Sequence, residues 1–376
     1  MKQRFLQGIV PSIAMLILIL DSNTAFAGAR EGIRLCVMTV LPSLFPYMVL
    51  SSMLTSGFVG QSMKPLRLLG RLCGMPKGTE CLFPIGILGG YPTGARAVTQ
   101  IYGSGAITKQ QAEHLLSFCS NAGPSFLFGI CGQFFDQSWM VWLLWGVHIL
   151  SAIAVGMCCS HGTGKTVTID KLQMVPLPEA IDKGIRTTAR VCGCVILFRI
   201  IIAYVDKLNI AGSRLSLLLA GILELTNGVC RLDQISNIGL RFVVASAFLS
   251  FGGICVLMQT ASVTQDLGIR SYIKGKLLHC VISTVLAYLL QGLLLPAENA
   301  LCLRIEVLIF LLIGLIFLRK RKKSVAFRRM LMYNQGKQVS EVRPCCSGKR
   351  LRKAAVTAST ARSWTRIMPF ASKKVS

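Results

Sequence analysis

Long apolar blocks alternate with short polar or glycine-rich interruptions from residue 7 to residue 318 of the chain. A bilayer's hydrocarbon core of about 30 Å takes about 20 helical residues to cross. The pattern predicts apolar helices at residues 9–20, 35–54, 139–158, 191–205, 215–229, 243–259, 277–295 and 301–318. Two shorter segments lie between the second and third of these. The first, residues 81–91, contains Pro84, Gly86, Gly89 and Gly90, and the second, residues 115–131, is interrupted by Ser120-Asn121-Ala122-Gly123-Pro124. The fold class this implies is an all-α polytopic membrane protein of about 8–10 transmembrane helices, some broken or re-entrant.

Punctuation between the blocks divides the chain. Lys2 and Arg4 precede the first run, and Ala25-Phe26-Ala27 has the look of a leader-peptidase site. The run is short and flanked by Pro11 and Asp21, and the later blocks are polytopic, which favours a retained first helix over a cleaved signal peptide. Pro42 and Pro46 fall inside the second block, where they remove backbone hydrogen bonds and predict a kink. A polar loop at 161–183, with Pro176 and Pro178, is the natural boundary between two halves. The expected organisation is an N-terminal helix or anchor (1–27), a first membrane unit (28–160), a linker (161–183), a second membrane unit (184–318) and a tail (319–376).

The halves carry weak internal matches. Gly86-Ile87-Leu88 with Gly94 recurs as Gly221-Ile222-Leu223 with Gly228, and Leu116-Ser117-Phe118 recurs as Leu249-Ser250-Phe251. Gly32-Ile33-Arg34 also resembles Gly184-Ile185-Arg186. Transporter folds are often duplicated in this way, with helices broken at matching positions.

Composition agrees with a membrane protein: 53% of the 376 residues are hydrophobic and only 15% are charged, against about 25% charged in soluble domains. A typical soluble enzyme is thereby excluded. The net charge of +26 is concentrated at the end, where residues 319–376 hold 17 Lys or Arg and one acid, Glu341. A basic tail after an apolar helix fits a cytoplasmic terminus and the head groups of anionic lipids. Phe327, Tyr333, Trp364 and Phe370 are too few for a base-stacking surface, so no nucleic acid is expected. With both termini basic, both are expected in the cytoplasm. Most of the fifteen cysteines, among them Cys36, Cys131, Cys255 and Cys280, sit inside apolar blocks as small apolar side chains. Neither they nor the scattered His114, His148, His161 and His279 have metal-site spacing, so no metal or other cofactor is expected.

Candidate chemistry lies in the interruptions. Gly89-Gly90-Tyr91-Pro92-Thr93-Gly94 puts three glycines and a proline at membrane depth, where freed backbone groups must line something polar. Its partner is Ser120-Asn121-Ala122-Gly123-Pro124, and together they mark Gly90, Tyr91, Pro92, Gly94, Ser120, Asn121, Gly123 and Pro124 as candidate substrate-binding residues, against a reading as tight packing or ordinary turns. In the second half Glu224, Thr226, Asn227 and Gly228 fall within one helical turn of an apolar block, and Gln259 ends the segment containing Phe251-Gly252-Gly253. Glu224 is a candidate for ion coupling or a hydrogen-bonded structural acid. Arg199 either pairs with Glu224, binds an acidic substrate or snorkels to the interface. His161-Gly-Thr-Gly-Lys165-Thr166 lacks the first glycine of a phosphate loop, and no nucleophile with a base is apparent. No catalytic residue is assigned.

Val40-Leu41-Pro42-Ser43-Leu44-Phe45-Pro46, Gly90-Tyr91-Pro92-Thr93-Gly94-Ala95, Leu116-Ser117-Phe118-Cys119-Ser120-Asn121-Ala122-Gly123-Pro124 and the Glu224 to Gly228 string together resemble the YlbJ-type sporulation integral membrane proteins, which carry the nucleoside-recognition, or Gate, domain. The resemblance covers about residues 28 to 318 and is strongest in the first half; Arg199 departs from it, and the tail has no counterpart. It implies two Gate-like units in the cell membrane or a forespore membrane of an endospore former. It also implies passage of a small solute, dipicolinate-like or nucleoside-like, through a secondary transporter, with a membrane scaffold for spore-envelope assembly as the alternative.

Overall fold

The computed structural model describes residues 2–58, 64–160, 174–208, 213–264 and 266–293. The block expected at 301–318, the basic tail and most of the 161–183 loop lie outside the described residues. Regular structure among the described residues is helical throughout. Among the described residues five stretches are long and apolar enough to cross a bilayer: Ser22–Phe58, Ser138–Cys158, Leu177–Leu208, Ile238–Thr264 and Ile269–Leu290; Gly8–Leu20 is apolar but shorter.

Helix α1 (Lys2–Leu20) stops at Asp21, whose carboxylate accepts the Thr24 N–H at 3.4 Å and caps α2 (Ser22–Leu35). The chain then runs without interruption through a π-helical turn, Cys36–Val40, into α3 (Leu41–Phe58). The kink expected from Pro42 and Pro46 therefore takes the form of a wider turn. The Leu41 N–H reaches back to the Cys36 carbonyl, and Ser43 Oγ donates to the Thr39 and Val40 carbonyls of the preceding turn at 2.6 and 3.2 Å.

A short α4 (Arg67–Leu72) leads to two interrupted pairs: α5 (Leu82–Gly89) with α6 (Thr93–Gly103), and α7 (Lys109–Cys119) with α8 (Pro124–Gly129). Thr108 and Gln111 form a reciprocal capping box at the start of α7, so that helix is fixed at its entrance by its own sequence. The long α9 (Ser138–Cys158) closes this run. Helix α10 (Leu177–Leu208) begins inside the stretch expected to be linker. Two further interrupted pairs come next, α11 (Ser213–Leu223) with α12 (Leu225–Val229) and α13 (Ile238–Phe251) with α14 (Gly253–Thr264), before the long α15 (Ile269–Leu290). The order long helix, interrupted pair, interrupted pair, long helix thus occurs twice.

Packing follows small residues. Helix α10 lies along α2 and α3, and a Cβ on Gly32 of α2 would come within 2.8 Å of the Ile196 Cα. Helix α15 packs against α7, α9 and α13, with Gly275 on the Ser117 carbonyl. One core joins α5, α6, α7 and α9 around Leu82, Ile101, Leu115 and Phe118, and another joins α8, α9, α12 and α13 around Leu127, Leu144, Val229 and Phe242. Trp142, Leu150, Ile185, Leu197 and Val281 are exposed and form outward apolar faces that suit lipid. The twelve described cysteines are free, and Cys73, Cys119 and Cys131 are buried in these cores.

Candidate functional site

The two interruptions of the first half cross each other. Gly90 has φ +71°, and a Cβ there would come within 3.1 Å of the Gly123 nitrogen; a Cβ on Gly123 would stand 2.9 Å from the Gly90 Cα. Only glycine on both strands permits this backbone-to-backbone approach. Tyr91 comes next, joined to Pro92 by a cis peptide bond. Gly94 packs against the Cys119 carbonyl, where a side chain would collide. Pro124 starts α8 at a position whose N–H has no helical partner, and Ser120 and Asn121 are fully buried in the extended link before it.

In the second half the first interruption is Glu224, extended at φ −149°. Its carboxylate is buried and accepts three hydrogen bonds: the Thr226 N–H at 3.0 Å, the Asn227 N–H at 2.8 Å and Asn227 Nδ2 at 2.7 Å. The acid is therefore held by the helix it caps and by an amide. The second interruption is Gly252 and Gly253, at φ +80° and +82°; a Cβ on Gly253 would stand 3.2 Å from both the Gly221 carbonyl and the Leu225 nitrogen, so these interruptions also cross. Gly228 packs on the Gly221 backbone with no room for a side chain.

The crossings face a shared cleft of about 480 Å³. Ser43 and Leu44, beside the π turn, form one wall; Tyr91 and Gly123 come from the first half, and Glu224, Thr226 and Gln259 from the second. Gln259 is buried and donates to Cys255 Sγ at 3.2 Å. Of the residues singled out in the sequence, the structure brings these five of the two halves together on one surface. Gly90, Pro92, Gly94, Ser120, Asn121, Pro124, Asn227 and Gly228 stand behind it as supports.

Of the three readings open for Arg199, pairing with Glu224 is not what the structure shows. The ion pair of Arg199 is with Asp206 of its own helix, at 3.9 Å, and not with Glu224. Two helical turns separate Arg199 from Asp206 along α10, and Glu224 is already served by Thr226 and Asn227. Asp206 is held more closely by Arg231, which binds both its oxygens at 3.0 and 2.6 Å.

Sequence reasoning missed Lys276. It is fully buried on α15, and its Nζ donates to the Tyr91 hydroxyl at 3.1 Å, Asn121 Oδ1 at 3.1 Å and His279 Nδ1 at 3.3 Å. The Tyr91 ring centroid is 5.0 Å away. The Tyr91 hydroxyl in turn donates a hydrogen bond to the Leu249 carbonyl at 3.1 Å. His279 Nε2 lies 3.0 Å from the His148 carbonyl, so that nitrogen carries a proton and Nδ1 is free to accept from Lys276. His148 Nε2 accepts the Ala122 N–H at 3.1 Å, which leaves Nδ1 to donate to Ser250 Oγ at 3.2 Å. One buried polar chain thus ties α9, α13 and α15 to both first-half interruptions. The sequence signal is present but displaced: a helix read as starting at 277 leaves Lys276 outside as a flanking charge, whereas the helix starts at Ile269 and carries Lys276 and His279 on one face.

The chain is similar to the sporulation integral membrane protein YlbJ of Bacillus subtilis (strain 168), with 25% identity over an alignment of 321 residues that covers 71% of this chain and 78% of that protein. It is thus a distant homologue of that protein. No family model matches the chain, and no solved structure matches it.

Proposed function

We propose that this chain is a sporulation-associated integral membrane protein that acts as a secondary transporter of a small solute. The observation that carries this reading is the meeting of three helix interruptions, at Tyr91, Gly123 and Glu224, at one cleft, with the intramembrane carboxylate of Glu224 on its wall. Broken helices facing a common cavity are a recurrent way to hold a solute between two units that move against each other. Irregular backbone at membrane depth is tolerated only where protein or a cavity serves it.

The repeated order of elements supports an origin by duplication into two Gate-like units. Gly86-Ile87-Leu88 and Gly221-Ile222-Leu223 both come just before the first interruption of their half, and Leu116-Ser117-Phe118 and Leu249-Ser250-Phe251 both come just before the second. The protein in this reading sits in the cell membrane with both termini cytoplasmic, crosses about 8–10 times, rests its basic tail on anionic lipid and performs no covalent chemistry.

The test is uptake of labelled dipicolinate and of nucleosides into proteoliposomes, with Asn121→Ala and Glu224→Gln compared at matched incorporation. Saturable uptake of either solute, lost in the variants, is the expected result. Absence of uptake from a folded, correctly inserted protein overturns the transporter and leaves the scaffold for spore-envelope assembly.

A further inference from the structure

Tyr91 joins the two halves of the chain at the wall of the central cleft. Its ring packs on Gly252 of the second-half interruption, where a Cβ would stand 3.3 Å from Tyr91 Cζ, and its hydroxyl donates to the Leu249 carbonyl at 3.1 Å. Leu249 lies in the last turn of α13, where carbonyls have no helical N–H to serve them. The same hydroxyl oxygen accepts from Lys276 Nζ at 3.1 Å. We propose that Lys276 is a proton-binding site and that Tyr91 is the latch it works: while Lys276 is an ammonium, Tyr91 holds the second-half interruption, and when Lys276 is a neutral amine, Tyr91 lets go.

The hydrogen bonds around Lys276 leave one way to accommodate loss of its proton. An ammonium has three N–H groups, and the acceptors Tyr91, Asn121 and His279 use them all. The neutral amine has two N–H groups and a lone pair, so one partner must turn donor. Asn121 cannot, because its Nδ2 donates to the Phe118 carbonyl at 2.8 Å, which leaves Oδ1 toward Lys276. His279 cannot, because its proton sits on Nε2, 3.0 Å from the His148 carbonyl. Tyr91 can: turning its O–H from Leu249 to Lys276 Nζ serves the lone pair and takes the donor away from the Leu249 carbonyl. One proton leaves the ammonium for water, one O–H changes partner, and no other bond is altered. The remaining titratable groups around the site are Cys119 at the end of α7, His148 on α9, and Tyr272 and Cys280 on α15, the Tyr272 ring centroid being 5.8 Å from Nζ. They are thiols, an imidazole and a phenol, and no carboxylate lies within ion-pair distance of the buried ammonium among the described residues, so no fixed negative charge retains the proton.

The latch rests on the transporter reading only for its place in a cycle, where it makes the proton the coupling ion; it is measured without solute or transport, so each fails separately. The experiment is amide hydrogen exchange of the full chain in neutral detergent, read by mass spectrometry in mildly acidic and in mildly alkaline buffer. Exchange of the link between α13 and α14, residues 249–256, is divided by that of α2 at the same pH, which cancels the intrinsic pH dependence of exchange. In the wild-type protein this ratio is expected to rise roughly threefold to tenfold in alkaline buffer, as one hydrogen bond is released. Tyr91→Phe, which lacks the latch, is expected to show the raised ratio in both buffers. Lys276→Met, which has no proton to lose, is expected to show one ratio in both buffers, while Lys274→Met, on the exposed side of α15, follows the wild type. A wild-type ratio that does not change with pH, or a wild-type pH dependence that persists in Tyr91→Phe or in Lys276→Met, overturns the proposal. Should Lys276→Met elute as misfolded protein, Tyr91→Phe decides alone, because it keeps the ring and removes only the hydroxyl.

Discussion

Lys276 on α15 donates to Asn121 Oδ1 at 3.1 Å, joining residues 155 positions apart in the chain at the point where the first-half interruptions cross. Three acceptors surround the ammonium, and no acid lies within ion-pair distance among the described residues. Replacing Lys276 with Met keeps the length of the side chain but leaves Tyr91, Asn121 and His279 without their donor. Each buried acceptor left unmade costs about 1–3 kcal/mol. Lys276→Met is therefore expected to lower the thermal unfolding temperature in detergent, while Lys274→Met, exposed two residues away, changes stability by less than about 0.5 kcal/mol. Equal effects from the two would show that the buried chain of hydrogen bonds holds nothing in place.

The crossing of Gly90 and Gly123 gives a backbone test. Ala at Gly90 must adopt φ +71° and bring its Cβ to 3.1 Å from the Gly123 nitrogen, for a cost of about 1–3 kcal/mol. Gly146 in the middle of α9 has nothing within 4 Å of its Cβ position. Gly146→Ala is expected to stabilise by about 0.5–1 kcal/mol through helix propensity. Thermal unfolding of the two variants should therefore move in opposite directions.

Helix content, the apolar spans and the first-half interruptions are legible in the sequence, because glycine and proline in apolar blocks have strong local consequences; the break at Glu224 falls inside a block read as one helix, 215–229. Tyr91, Gly123, Glu224, Thr226 and Gln259 emerge from that logic. The π turn at Cys36–Val40 is not legible, since two prolines predict a kink but not the wider i to i−5 turn that the backbone adopts ahead of them. Lys276 is hidden by a misplaced boundary at the start of α15. The partner of Arg199 is missed because pairing with Glu224 requires a long-range proximity that sequence cannot show, where an acid two turns along the same helix is available.

Glu224 separates capping from solute handling. Gln at this position retains one carboxamide oxygen for the Thr226 or Asn227 N–H, whereas Ala retains none. Loss of an N-cap costs about 0.5–2 kcal/mol, so Glu224→Ala is expected to unfold at a lower temperature than Glu224→Gln. Uptake into proteoliposomes is expected to be lost in both. A Glu224→Gln variant that transports normally would mean that the carboxylate is a cap alone.

The Asp206 cluster gives a graded test of charge pairing. Arg231 binds both oxygens of Asp206 and also donates to Ser216 Oγ at 2.9 Å, while Arg199 reaches only to 3.9 Å. Their side chains are 17% and 20% exposed, and that of Asp206 is 34% exposed, so solvent screens both pairs to a similar degree and geometry sets the difference. A double-mutant cycle on Arg231→Gln and Asp206→Asn is expected to give a coupling energy of about 1 kcal/mol, and one on Arg199→Gln and Asp206→Asn less than about 0.5 kcal/mol. The cycle on Arg199→Gln and Glu224→Gln should give no measurable coupling, because the carboxylate of Glu224 is saturated by its own helix start. A coupling there as large as that of Arg231 with Asp206 would restore the ion pair that the sequence suggested and the structure replaces.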